Sequence, residues 1–320
     1  MVSAQTVAPL HGTIGGGGAG GTGSVIGEAV VQVVRTTYPG SGLTYAPSSI
    51  ASSLIAMLTG KVEYAVAAAG EMKDAISGAP PFRQSYPAEN LSIVGNLLHP
   101  AAMVAVVYAR REFVEDHGLT SLRDLRDLRA PVRLSTNTFG NVPTARHNRI
   151  LFDVIGIDEA LIEQRGGKDY HLPDTAGLGL LQDSKLDLIV TLGFHPDHRA
   201  VQAARAVPLV LLPFGDGVPD EMAKRLGTPV GVIPAGSYDF LEEDYEGSTM
   251  GGLFLAAGPK AEDDDTYRLA RALYLGMERL KQVHRSFSTM EQDLLVETGG
   301  LPMHPAAARF YREVGLLPQQ

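Results

Sequence analysis

His11–Gly27, HGTIGGGGAGGTGSVIG, is the stretch around which the chain is organised. It stands directly before an apolar-periodic run, Val25, Ile26, Ala29, Val30, Val33 and Val34, whose spacing predicts the first helix. A glycine-rich turn that opens a helix leaves backbone N–H groups without intrahelical acceptors, with the positive end of the helix dipole behind them. Such a turn is a cup for an anion. Thr22 and Ser24 add hydroxyls, and either can cap the helix.

Which anion is decided by what surrounds the glycines. Gly16-Gly17-Gly18-Ala19-Gly20-Gly21 satisfies the dinucleotide spacing G-x-G-x-x-G, but a run this rich in glycine matches many spacings. The fingerprint also needs an acidic residue about 20 positions later for a ribose hydroxyl, and no Asp or Glu occurs from Arg35 to Val62. A P-loop fails because no Gly-Lys-Ser/Thr follows. A purely structural loop remains open as an alternative. We read the stretch as a carboxylate-binding cup.

At 320 residues the chain suits one large or two ordinary domains. Hydrophobic residues make up 44% and charged residues 20%, enough for a proper core and too apolar for disorder. The net charge of −9, with no long basic run, argues against nucleic acid or an anionic membrane as partner. The absence of cysteine removes disulfides, thiol chemistry and thiolate metal sites together. No apolar run reaches the ~18 residues of a membrane span, so membrane insertion is not expected. Val2-Ser3-Ala4 before Gln5-Thr6 resembles the tail of a cleaved secretory signal without its charged and apolar parts; an ordinary N-terminus fits as well.

Beyond the first helix, Leu43–Ala46 reads as a strand, and Pro47-Ser48-Ser49 leads into a helix from Ile50 that Gly60 ends. Tyr64–Ala69 is a small-residue strand, and Ala102–Tyr108 is a strand long enough to cross between domains. Val132–Ser135 is followed by the polar loop Thr136–Thr144, which opens a helix from Ala145 to Ile155, stopped by Gly156. Leu186–Thr191 is a buried strand running into Gly193-Phe194-His195-Pro196, with a helix over about Asp197–Ala206 and a strand over Val207–Leu212. The strand Gly252–Ala257 precedes helices over Asp264–Val283 and Met290–Val296. Strands alternating with helices imply parallel-rich sheets with ligands at the carboxyl ends of the strands. The fold class is α/β.

Two stretches carry a family resemblance. Ile233-Pro234-Ala235-Gly236-Ser237-Tyr238 matches I-P-A-G-T-Y with Ser for Thr. Pro302, His304, Pro305, Ala307, Tyr311, Glu313 and Gly315 match P-L-H-P-G-A-x-x-Y-Y-x-E-x-G, with Ala306 in place of the glycine. Gly20, Gly21, Thr22 and Gly27 meet an opening G-G-T-x-x-x-x-G, and Asp187 and Gly193 echo G-x-x-D-A-x-x-x-x-G-x-P. The chain thereby resembles, over nearly its whole length, the TAXI solute-binding receptors of TRAP (tripartite ATP-independent periplasmic) transporters. The departures cluster at the pocket loops. Pro47–Ser53 lacks the family's G-S-x-x-N, Ala68 and Gly70 stand where a Gln and an acid are common, and Asn141–Ala145 keeps only Thr144 of G-S-G-T-E. The scaffold fits while the ligand residues have drifted, so the glutamate or oxoglutarate specificity of some relatives is not carried over.

The resemblance implies a two-lobed, type II periplasmic-binding-protein-like fold with parallel-rich sheets, flanking helices and a hinge. Lobe I is expected over 1–107 plus 252–320 and lobe II over 108–251. The expected function is capture of a small organic acid or amino acid in an interlobe cleft, in the periplasm, and delivery to TRAP permease subunits, with no cofactor, no metal and no catalysis. The alternative is a cytosolic enzyme holding a nucleotide or other anionic cofactor at the glycines, with no general-base cluster to support it. The expected ligand donors are Gly21, Thr22, Gly23, Ser24, Ser48 and Ser49 from lobe I. Lobe II is expected to supply Thr136, Asn137, Thr138, Asn141, Thr144, Gly193 and His195. His195-Pro196-Asp197-His198 is weak as a metal site, and Asp263-Asp264-Asp265 reads as charge favoured by a helix N-terminus. No G-x-S-x-G elbow supports a catalytic triad. His304 and Glu313 are expected to be structural.

Overall fold

The computed structural model describes residues 8–19, 22–139, 141–283 and 287–319. The chain folds as two compact α/β units, Met1–His99 with Gly252–Gln320, and Pro100–Gly251. The strand expected to begin at Ala102 thus lies wholly in the second unit, where the sequence reading ran the first lobe to residue 107.

Unit 1 begins with β1 (His11–Gly16), α1 (Thr22–Thr37), β2 (Gly42–Pro47), α2 (Ile50–Leu58), β3 (Tyr64–Ala68), α3 (Ala69–Ser77) and β4 (Ser92–Asn96). Inside the stretch read as a loop there is therefore a strand. β1 is paired in parallel with β2 on one side and β3 on the other. Helix α1 follows the apolar period, burying Ile26, Ala29, Val30, Val33 and Val34. In β3 the small side chains Ala65, Ala67 and Ala68 are buried, which suits a central strand with helices close on its faces.

Unit 2 contains β5 (Val104–Arg110), α4 (Arg111–Asp116), β6 (Arg133–Ser135), α5 (Val142–Ile155), α6 (Glu159–Gln164), β7 (Lys168–Asp169), α7 (Asp174–Gln182), β8 (Leu188–Gly193), α8 (His198–Ala204), β9 (Leu209–Leu211), α9 (Val218–Leu226), β10 (Val230–Ile233) and β11 (Tyr245–Ser248). Alternation along β5 sorts the core into two layers. Ala105, Val107 and Ala109 join Leu151 and Ile155 of α5 and Val218 and Met222 of α9. Val104, Val106 and Tyr108 join Leu178 and Leu181 of α7 and Ala200 and Ala203 of α8. This is the period of two expected of a strand buried on both faces. Helix α5 stops where expected, at Gly156 in the left-handed conformation (φ 75°).

The chain returns to unit 1 with β12 (Leu253–Ala257), α10 (Asp263–Leu275), α11 (Met277–Val283) and α12 (Pro305–Glu313). The helical run read over 264–283 breaks at Gly276, where a Cβ would stand 2.3 Å from Val33 Cγ1. Residues Gln292–Val296 form a 3₁₀ turn in place of the expected α-helix. Asp263, Asp264 and Asp265 fill the first turn of α10, where the dipole favours them.

The two sheets have one plan. Unit 1 orders its strands β2-β1-β3-β12-β4 and unit 2 orders them β7-β6-β8-β5-β9. In each, an antiparallel strand lies fourth in the row, β12 against β3 and β5 against β8. Unit 2 starts with its antiparallel strand; unit 1 ends with its own. Parallel-rich sheets flanked by helices in two lobes are the architecture that the sequence implied.

Candidate functional site

In unit 1 the parallel strands β1, β2 and β3 all end at one edge of the sheet, at Gly16, Pro47 and Ala68. Each leads into a helix that starts there. Two of those starts are already capped by the protein. Glu71 accepts the Ala68 N–H (3.0 Å) at α3, and Ser49 Oγ accepts the Ser52 N–H (3.1 Å) at α2 while donating to Ser52 Oγ (2.8 Å). The loop before α1 differs. Neither the Gly17 nor the Gly18 N–H donates to a protein acceptor among the described residues, and Gly18 is exposed.

The glycines of that loop divide by what a side chain would meet. At Gly16 a Cβ would lie 2.4 Å from Tyr45 Oη, and at Gly27 one would lie 2.3 Å from two carbons of the same ring. At Gly15 it would press on Ser53 Cβ at 3.0 Å. These three are glycine because Tyr45 and Ser53 occupy the space. At Gly17 and Gly18 nothing stands closer than 3.9 Å, and at Gly23 the nearest atom is at 3.4 Å. At those three a side chain would meet only ordinary contacts. Tyr45 donates its hydroxyl to the Gly17 carbonyl (2.7 Å), and burial, aided by Glu28, pushes its pKa up to about 12, so it stays a donor at any physiological pH. The Gly16 carbonyl accepts from Ser53 Oγ (3.0 Å) and from the Ser48 N–H (3.1 Å).

Of the lobe I donors expected from sequence, Thr22 and Gly23 are half-buried at the start of α1, and Ser24 is buried. Ser48 is exposed beside the loop, its carbonyl 3.9 Å from where a Gly18 Cβ would be. Ser49 is a helix cap. Gly21 lies outside the described residues, as do the residues of the signal-like N-terminus.

Unit 2 repeats the arrangement with a different economy of donors. Its parallel strands β6, β7 and β8 end at Ser135, Asp169 and Gly193, and buried or half-buried carboxylates staple the loops that follow. Asp169 accepts the Thr136 N–H (3.1 Å), the Thr136 hydroxyl (2.5 Å) and the His171 N–H (3.1 Å). Asp174 accepts from Asn137 Nδ2 (2.8 Å) and Thr191 Oγ1 (2.7 Å); burial raises its pKa despite these donors. Asp197 caps α8 and holds Arg199; burial opposes its charge, but the Arg199 bonds prevail and its pKa is lowered. Thr136 and Asn137 are thus turned into the fold. Asn137 takes a left-handed φ of 70° and accepts the Thr138 N–H (2.7 Å) on its own side-chain oxygen.

The remaining lobe II candidates separate in the same way. Asn141 precedes α5 without capping it, Thr144 is buried in the first turn, and Gly193 borders open space. Phe139, 71% exposed, lies against the His171 ring with centroids 4.2 Å apart. His195 has both ring nitrogens engaged. Nε2 faces the Val104 carbonyl (2.9 Å), which can only accept, so Nε2 carries the proton and Nδ1 accepts from Tyr238 Oη (2.7 Å). Tyr238 Oη in turn receives the Tyr108 hydroxyl and the Asp197 N–H, each at 2.7 Å. Gly17 and Gly18 lie in the run read from sequence as an anion cup, though not among its named donors; Tyr45, Ser53, Asp169 and Asp174 were missed. Only Tyr45 left a signal, an aromatic residue on the strand paired with a run of glycines.

Behind the site, His147 of α5 lies buried with Nε2 2.6 Å from Ser248 Oγ and Nδ1 without a hydrogen-bond partner among the described residues. Burial and Arg146 push its pKa down to about 4, so acidification must charge a group that the fold keeps neutral. The unfolded chain binds this proton near pH 6.5 and the folded chain only near pH 4, so stability falls as pH drops through that window. From pH 7 to pH 5 the loss is about 2 kcal/mol. His147→Gln, which does not titrate, is expected to lose correspondingly less; parallel denaturation curves for the two proteins at both pH values would exclude His147 as the source.

Comparison with known proteins adds a family and a set of structures. The family model described as the NMT1-like family matches residues 14–315. The periplasmic aliphatic sulphonate binding protein SsuA from Escherichia coli is 15% identical, over 95% of this chain and 84% of that one, with a TM-score of 0.48. The binding protein component of an ABC phosphonate transporter from Pseudomonas aeruginosa is 10% identical, over 87% and 79%, with a TM-score of 0.49. Iron-bound HitA from the same organism is 13% identical, over 96% and 100%, with a TM-score of 0.48.

Proposed function

Since the chain belongs to the NMT1-like family, we propose that it is an extracytoplasmic solute-binding protein that captures a small carboxylate-containing solute and delivers it to a membrane transporter. The TAXI-like motifs point to a transporter of the TRAP kind. The observation that carries the reading is the loop before α1, where Gly17 and Gly18 hold N–H groups without a protein acceptor among the described residues, ahead of Thr22 at the helix start. Desolvating a carboxylate is costly unless donors replace its water, and two amides, a hydroxyl and a helix dipole are such donors. Binding of this kind needs no general base or nucleophile.

The test is a thermal-shift screen of protein freed of ligand by unfolding and refolding, against mono-, di- and tricarboxylates, amino acids and nucleotides. A ligand at ~100 times its dissociation constant adds about 2.7 kcal/mol and raises the melting point by a few degrees. A carboxylate response supports the proposal; a response to NAD or ATP alone would favour a nucleotide enzyme instead. Thr22→Ala is expected to weaken binding of the responding acid by about 1.5–3 kcal/mol, the worth of a hydrogen bond to a charged group. Unchanged affinity in calorimetry removes Thr22 from the site.

A further inference from the structure

We infer that Tyr45 is the positioning residue of the glycine loop: lodged between Gly16 and Gly27 and bonded to the Gly17 carbonyl, it turns the Gly17 and Gly18 N–H groups out toward the solute. This rests on the solute-binding reading and names the part of the site that makes it a receptor for oxygen anions. In a trans peptide the carbonyl of one residue and the N–H of the next point in opposite directions. Among the described residues the cis bonds are at Pro81 and Pro196, so the loop peptides are trans. The Gly16 carbonyl is held by Ser53 Oγ (3.0 Å) and the Ser48 N–H (3.1 Å), so the Gly17 N–H points away from both. The Gly17 carbonyl is held by Tyr45 Oη (2.7 Å), so the Gly18 N–H points away from that ring.

A glycine run has more backbone freedom to lose than any other sequence, so two unanchored glycines would offer their amides in no fixed direction. Tyr45 removes that freedom before the solute arrives. Its ring is seated closely, in the places where Gly16 and Gly27 would otherwise carry side chains. Two adjacent amides so aimed suit two oxygens of one carboxylate.

The experiment is Tyr45→Phe, which keeps the ring and deletes only the hydroxyl. Two quantities are measured: succinate affinity by calorimetry, and NMR order parameters of the Gly17 and Gly18 N–H vectors in the free protein. We expect a melting point close to the parent's, succinate affinity lower by about tenfold, the worth of one hydrogen bond, and order parameters falling from near 0.85 toward 0.6. Unchanged order parameters overturn the inference whatever the ligand result. Falling order parameters with unchanged affinity overturn it too, since the aimed amides would then not hold the solute. If the parent binds neither succinate nor any other acid, the solute-binding reading fails, and with it the role of the amides. The order parameters then still report whether Tyr45 holds the loop.

Discussion

Asp187→Ala is expected to cost about 3–5 kcal/mol, the range found when a buried ion pair loses one partner. Asp187 is 2% exposed and closes a knot at the end of the unit 2 sheet far from the candidate site. Its Oδ2 accepts the Arg133 N–H (2.8 Å) and Nε (3.1 Å), and its Oδ1 accepts Arg133 Nη2 (2.5 Å) and Arg110 Nη2 (3.0 Å). Arg110 ends β5, Arg133 begins β6 and Asp187 immediately precedes β8, so one carboxylate ties three neighbouring strands. Without it Arg110, itself buried, keeps only the Leu186 carbonyl and the exposed Glu112.

The sign with pH follows. Burial works against the charge, but the Arg133 and Arg110 bonds overcome it and hold the pKa below the usual carboxylate range. The stabilisation is therefore complete above the unfolded value near 4 and is lost as pH falls through the lower folded value. In urea denaturation the gap between parent and variant should be full at pH 7 and close below about pH 4. Asp187→Asn, which keeps the shape without the charge, should fall between them. A gap under ~1 kcal/mol at pH 7 would mean that the knot behaves as a surface pair. Because Asp187 and Gly193 stand at opposite ends of one strand, solute affinity of the folded variant should not change.

How far the fold was legible follows from what each residue advertises. Helix α1, α5 with its Gly156 stop, and the apolar strand β8 show themselves in period and punctuation, because each buries a stripe of its own side chains. β1 does not. Its last two residues are glycines; pairing with β2 and β3 makes them a strand, and the space that side chains would need is taken by a tyrosine and a serine more than 25 positions later. No local pattern carries that information. β7 is two residues long and β6 three, too short for any alternation to register, yet they position Asp169 and the Thr136 loop. The polar loop of unit 2 was legible as a loop. That Thr136 and Asn137 spend their donors on Asp169 and Asp174 was not, since the acids belong to another strand–helix connection.

Gly27→Ala is expected to destabilise the protein by about 3 kcal/mol, against the ordinary rule for helices. Replacing a glycine inside a helix by alanine normally gains up to ~1 kcal/mol, and Gly27 lies well inside α1. Here the new methyl would stand 2.3 Å from Tyr45 Cδ2 and Cε2, far inside contact distance. Overpacking of this kind costs about 1–3 kcal/mol and more where neighbours cannot yield. The ring is tied to the Gly17 carbonyl, so either α1 shifts or the ring leaves and releases that carbonyl. The clash outweighs the propensity. A double-mutant cycle separates the two terms. In a Tyr45→Ala background the methyl meets no ring, and the same Gly27→Ala change should be neutral or stabilising by up to ~1 kcal/mol. A similar cost in both backgrounds would mean that something other than Tyr45 requires glycine at this position. Gly23→Ala is the matching control, where a methyl would reach only ordinary contact with the Gly17 backbone. Its methyl meets no atom closer than 3.4 Å, so it should leave the melting point near the parent's and show its effect in solute affinity.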